Sequence, residues 1–166
     1  MTNIVAGNAA PAFSLKSLDG KEVSLGKLLE SGPVVAAFFK ISCPVCQFTF
    51  PFLERLYKLY GSGETTFLGI SQDDAGDTKG FAKEFGVTFR MVLDEKPKGY
   101  PASNAYRLTN VPTIFLIEPD AAVKVVCLGF DKNGLETIAG ELAERKEIPP
   151  VALFRPDEAV PDHKPG

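Results

Sequence analysis

Cys43 and Cys46 stand three positions apart in the stretch KISCPVCQFTFP (residues 40–51), with Pro44 and Val45 between them and Pro51 five positions beyond. A pair at this spacing can exchange with disulfides, hold a metal, or do no more than fill space. Metal binding runs short of ligands. Structural zinc sites use four protein ligands and most catalytic ones three. Beyond the pair, the 166-residue chain has only Cys127 and one histidine, His163, in a proline-rich tail. No second ligand pair occurs at metal spacing, so no metal is expected.

Disulfide exchange makes demands on position. If Cys43 opens a helix, the unpaired backbone N–H groups and the positive end of the helix dipole favour its thiolate. Thiols so placed can have pKa values lowered to roughly 3.5–7.5. Pro44 then takes the first helical position, where its missing N–H costs nothing. Cys46, almost one turn further in, is within bonding reach but more shielded, so the outer thiol attacks a disulfide and the inner one resolves the mixed disulfide. Pro51 falls inside the helix and should kink it. That penalty, about 3 kcal/mol, calls for tertiary support. Lys40 would favour a thiolate if it pointed at the pair, although a lysine with its ammonium in water is the commoner arrangement.

Other side chains divide between core and surface. Phe48 and Phe50 flank the pair and read first as core, yet an apolar patch on the exposed helix face would suit hydrophobic substrate segments. Cys127, in VKVVCLGF, alternates in step with Val123 and Val125 and reads as a packed core thiol. Asp73 and Asp74 follow a strand end and read as turn or capping residues. His163 reads as a solvated tail residue.

The elements that must position the pair follow from periodicity and turn residues. Residues 13–25 read as two short strands around Asp19-Gly20, and GKLLES as a brief helical turn. PVVAAFFK (33–40) is β-branched and aromatic throughout, as a strand buried on both faces should be. From Pro44 to Tyr60 the pattern is helical and closes at Gly61. TTFLGIS (65–71) is a second buried strand. Asp77 can cap a helix over TKGFAKEF that stops at Gly86. FRMVLD (89–94) is a third strand, GYPASNAYRL holds a short helix, and TIFLIE with VKVVCLGF forms an antiparallel hairpin. Residues 134–146 form an amphipathic helix with Leu135, Ile138 and Leu142 on one face.

Strands alternating with helices predict an α/β fold whose sheet is mostly parallel, covered on both faces, with antiparallel edge strands from the late hairpin. The reading divides the chain into one domain, 1–148, and a proline-rich tail, 149–166, that cannot be regular secondary structure, although VALF in it can dock on the body.

Bulk properties exclude several partners. Hydrophobic residues make up 45% and charged residues 23% of the chain, and the net charge is −3. With no long basic run, neither nucleic acid nor an anionic membrane is indicated. No apolar run approaches the roughly 20 residues of a membrane span. The first residues, MTNIVAGNAAPAF, lack the pattern of a signal peptide, so a cytoplasmic, reducing location is expected. There a CxxC is more often catalytic or metal-binding than a structural staple.

A buried strand ending in CxxC, a proline five after the second cysteine, and Val111-Pro112 in NVPTIFLIEPD together resemble the thioredoxin fold. The resemblance implies a cis Pro112 beside the cysteines and a Val111 backbone that pairs with an extended substrate. Cys46 and Pro112 lie 66 positions apart, room for an extra strand–helix unit. With APAFSLKSLDGKEVSL, that layout is similar to the TlpA-like thiol–disulfide reductases of the AhpC/TSA (redoxin) superfamily over about residues 8–146. It implies a mixed central sheet with helices on both faces, an N-terminal hairpin extension, and a strand–helix insertion before the cis-proline strand. It also implies a reductase of protein or small-molecule disulfides, recharged by a thioredoxin- or glutathione-type thiol donor, with the Cys43–Cys46 disulfide in place of any bound cofactor.

The departures matter too. The tryptophan usual before the first cysteine is Ser42, the buried acid of thioredoxins is Ala37, and the glutamate three after the second cysteine is Thr49. The expected proton acceptor for Cys46 is therefore missing, leaving water, Lys40 or another group. Pro-Val places proline first, as in glutaredoxin-type CPYC, which implies a couple less reducing than thioredoxin's. Two alternatives stand beside the reductase. A peroxiredoxin-like peroxidase would use Cys43, but the threonine and proline its motif wants are Lys40 and Ala36. A non-catalytic binding or chaperone module would use the fold as a scaffold, against which the intact CxxC argues.

Overall fold

The computed structural model describes residues 3–61 and 63–166; Met1, Thr2 and Ser62 of the predicted domain lie outside them. Its centre is β3 (Val34–Phe39), flanked by parallel β4 (Thr66–Ser71) and antiparallel β6 (Thr113–Ile117). Outward from these lie β5 (Arg90–Leu93), β1 (Ser14–Ser17) and β2 (Glu22–Ser24) on one side and β7 (Val123–Leu128) on the other, giving the order β2-β1-β5-β4-β3-β6-β7.

All six β3 residues are buried because both faces of the sheet are covered. Val35, Ala37 and Phe39 pack under α2 (Pro44–Tyr60), α3 (Ala75–Phe85) and α5 (Lys132–Arg145). Val34, Ala36 and Phe38 face α1 (Leu25–Leu29), α4 (Pro101–Ala105) and Tyr106. A side chain of this size contributes roughly 1.5–3 kcal/mol when fully buried. The Phe39 ring lies 4.4 Å from Phe50 and 4.8 Å from Phe81. These contacts clamp the first half of α2 over the end of β3 and so hold whatever the β3–α2 turn carries.

Two of the six strand pairings in this sheet, β3–β4 and β4–β5, are parallel and four are antiparallel. The sheet is thus mixed rather than mostly parallel. The N-terminal hairpin joins it beside β5 in the antiparallel sense, and the late hairpin does the same beside β3. Helix α3 is capped by Asp74, whose carboxylate accepts from Asp77 N at 2.8 Å; Asp77 lies in its first turn instead of capping it. In β7 a register shift opposite Leu116 and Ile117 interrupts the alternation. Val123 therefore packs on the α1 and α4 face while Cys127 packs on the α2 and α5 face. Cys127 is fully buried.

The proline-rich tail is fastened to the body. Leu153 and Phe154 are buried, with the Phe154 ring tilted 5.1 Å from Phe52 and edge-on 6.1 Å from Phe130. Arg55 grips Glu158 through two bonds of 2.8 and 2.9 Å and donates to Leu153 O. Beyond Asp162, which accepts from Lys132 N at 3.0 Å, β9 (His163–Lys164) pairs antiparallel with β8 (Phe130–Asp131). The tail thus contains regular structure, because the short β8 segment after β7 offers it backbone partners in a separate two-stranded sheet. His163 is correspondingly not just solvated: its Nε2 lies 3.0 Å from Leu128 O.

Candidate active site

Cys43 is the N-cap of α2, with extended backbone at φ −84° and ψ 115°, and Pro44 opens the helix. The Cys46 N–H donates to Cys43 Sγ at 3.2 Å. One of the helix's orphan donors therefore points at the outer sulfur, where it favours negative charge. Cys43 is half-buried and Cys46 fully buried, and all three cysteines are free thiols. Burial first, then the neighbouring Cys43, pushes the Cys46 thiol well above the ordinary thiol range, and the Asp73 carboxylate adds to the shift. The two sulfurs therefore meet different environments: one reachable and served by a backbone donor, the other sequestered and held protonated.

The loop before β6 meets the pair. Cys43 Sγ donates to Val111 O at 3.4 Å across 68 positions of sequence. The Val111–Pro112 peptide is cis. Pro112 is buried, and its carbonyl accepts from Gly129 N at 2.8 Å.

Other predicted participants sit elsewhere. The Lys40 side chain is exposed and shares a surface cleft with Gln72, Asp73 and Asp74; its backbone carbonyl serves the turn instead, accepting from Cys43 N at 3.2 Å. Val45 is half-buried, and its carbonyl accepts from Thr49 Oγ1 at 2.6 Å. Pro51 lies on the exposed face of α2, which runs on to Tyr60. Phe50 is wholly buried. Phe48 is half-buried, set 4.9 Å from Phe130 with the Lys164 ammonium 4.9 Å above its ring. The apolar patch expected beside the cysteines is thus partly covered by the tail.

Asp73 is the participant that the sequence did not reveal. Its Oδ2 accepts from Ile41 N at 2.8 Å, while Gln47 Nε2 donates to Ile41 O at 2.9 Å. The peptide units on both sides of Ile41 are therefore fixed, and with them the turn that presents Cys43. Asp73 follows a strand end like any turn residue. Only the parallel register, which sets Ser71 beside Phe39, brings it to the β3–α2 turn. Among the described residues, no three His, Cys, Asp or Glu side chains converge as metal ligands.

A dithiol at the start of the helix that follows the central strand, faced by the loop entering an antiparallel hairpin, defines a thioredoxin-fold redox protein. More particularly, the chain belongs to the AhpC/TSA family, which matches residues 6–126. The thiol–disulfide oxidoreductase ResA of Geobacillus thermodenitrificans is 30% identical over 129 residues, covering 77% of this chain and 72% of that protein. The chloroplastic peroxiredoxin Q of Triticum aestivum is 37% identical over 93 residues, 55% of this chain and 42% of that one. A solved thiol:disulfide interchange protein from a Bacteroides species superposes with a TM-score of 0.74 at 25% identity, covering 88% of this chain and 95% of its own. Fold, dithiol and relatives together make this chain a thiol–disulfide oxidoreductase acting on disulfide-containing substrates.

Proposed function

We propose that Cys43 is the attacking thiol, Cys46 the resolving thiol, and the Val111 backbone, shaped by Pro112, the substrate-positioning edge of a disulfide reductase. The observation that carries this is the Cys46 N–H donated to a half-buried Cys43 sulfur, beside a Cys46 thiol that burial keeps protonated. In the first step the Cys43 thiolate attacks one sulfur of a substrate disulfide, forming a mixed disulfide and releasing one substrate thiolate, which takes up a proton. Cys46 then loses its proton and attacks Cys43 Sγ, releasing the second substrate thiol and leaving the Cys43–Cys46 disulfide. The substrate gains two electrons and two protons, and a thioredoxin- or glutathione-type thiol donor restores the dithiol. A reducing, cytoplasmic setting belongs to the same proposal, since it keeps the pair charged.

The test is insulin reduction combined with a glutathione redox titration, with Cys46→Ser as the control. A couple near thioredoxin's, about −270 mV, marks a general reductase, and one near about −200 mV a glutathione-coupled role. Failure to form an intramolecular disulfide would sink the reading. The relation to peroxiredoxin Q supports a second reading, peroxide reduction by Cys43. The hydroxyl that would orient peroxide is replaced by Lys40, whose side chain is exposed. Sustained hydrogen peroxide consumption without insulin reduction would favour it.

A further inference from the structure

The tail does more than dock. After β9 it runs past Gly129 to the active-site loop, where Gly166 meets Val111. A Cβ built on Gly166 would overlap Val111 O and fall 2.7 Å from Asn110 Nδ2. Gly129, at φ +70°, is packed so closely under the strand that a Cβ there would overlap Lys164 O and lie 2.9 Å from Gly166 N. That conformation and that contact both require glycine. Lys164 is held over Phe48, and His163 over Leu128 O. The segment therefore pairs with β8 and its last residue reaches the Val111 carbonyl, while Cys43 itself stays partly open.

We propose that residues 163–166 are a built-in occupant of the Val111 edge, and that they make the site selective for compact, low-molecular-weight disulfides over disulfides carried in extended polypeptide. This rests on the proposed pairing of extended substrates with Val111. A small disulfide needs only the sulfur of Cys43, whereas an extended chain needs the Val111 backbone against which β9, paired with β8, holds Gly166. The segment is tethered upstream by Leu153, Phe154 and the Arg55–Glu158 grip, so it remains at high local concentration and re-forms after displacement. An edge free about one-tenth of the time weakens the apparent affinity of an extended substrate roughly tenfold.

The test compares the full chain with one ending at Asp162 and with Lys164→Glu, using insulin and oxidised glutathione as substrates. Truncation keeps the buried anchors and the Arg55 grip. The expected result is a roughly tenfold rise in kcat/KM for insulin, a smaller rise for Lys164→Glu, and less than about a twofold change for oxidised glutathione. An equal rise with both substrates, or no rise with insulin, overturns the proposal. A readout independent of turnover is the alkylation of Cys43 in a Cys46→Ser, Cys127→Ser background. Truncation should speed reaction with a maleimide carried on a ten-residue peptide and leave reaction with iodoacetamide unchanged. If neither substrate is reduced by any form, the exchange reading fails, and these alkylation rates alone decide whether the edge is covered.

Discussion

Cys43 Sγ and Val111 O lie 3.4 Å apart, joining the first turn of α2 to the loop before β6. The contact sets the sulfur beside the backbone edge proposed above to position extended substrates. Two thiols in unequal surroundings should then show unequal chemistry. Cys46→Ser should trap a substrate on Cys43 as a stable mixed disulfide, visible as a mass increase under non-reducing conditions. Cys43→Ser should trap none and lose reductase activity by a factor of 100 or more, on the order of the loss seen when a nucleophile is removed. Equal trapping by both variants would contradict the assignment.

Asp73 acts on the pair from the neighbouring strand. Its carboxylate holds Ile41 N, and its charge adds a smaller part to the rise in the Cys46 pKa that burial and Cys43 chiefly cause. Asp73→Asn keeps an acceptor for Ile41 N but removes the charge, so Cys46 should become reactive at lower pH. Asp73→Ala removes the acceptor as well and loosens the turn, costing roughly 1–3 kcal/mol for the orphaned N–H. Alkylation of Cys46 against pH in a Cys43→Ser background separates the two. A Cys46 profile unmoved by Asp73→Asn would remove Asp73 from the site's electrostatics.

Much of this site was legible because it rests on local signals. Cys-Pro-Val-Cys after an unbroken apolar run marks a strand–helix junction, and Val111-Pro112 before TIFLI marks the start of a second strand. The Asp73–Ile41 bond was not legible, since it spans 32 positions and exists only once β3 and β4 lie in register. The face change along β7 depends on a bulge that an alternating run of valines hides. The path of the tail was hidden for a related reason. Five prolines argue against regular structure, but the partners of His163 and Lys164 are backbone groups near residue 130 that become available only when the sheet has formed.

Burial of acidic hydrogens sets an alkaline limit on stability. The Cys46 and Cys127 thiols and the Tyr106 hydroxyl are all raised, chiefly by burial. In the unfolded chain cysteine ionises at about 8.5 and tyrosine at about 10. The unfolded state therefore sheds protons that the native state keeps, and native stability falls as pH rises above that range. Each such group contributes a slope of about 1.4 kcal/mol per pH unit while only the unfolded form is ionised. Urea midpoints of the reduced protein should decline from about pH 9 upward. Cys127→Ala should flatten the decline at some cost in packing, and a midpoint independent of pH up to about 11 would contradict the burial of these groups.

The Arg55–Glu158 grip predicts an acid-sensitive tail. Arg55 and Glu158 are only 29% and 22% exposed, and the guanidinium meets both carboxylate oxygens. Hydrogen bonding from Arg55 first, then the backbone N–H of Arg155, holds the Glu158 carboxyl down at about 2. Because the folded value lies below the unfolded one, the stabilisation is complete above about pH 4.3 and is lost as pH falls towards the folded value. Hydrogen exchange in residues 150–162 should therefore accelerate on acidification before the amides of β3 and β4 respond, since Val34–Phe39 draw their protection from the sheet and not from this ion pair. Glu158→Gln should raise exchange in the tail at pH 7 and abolish the acid-dependent component. If the tail and the central strands lose protection together at every pH, the clamp does not hold the tail as a separately opening unit.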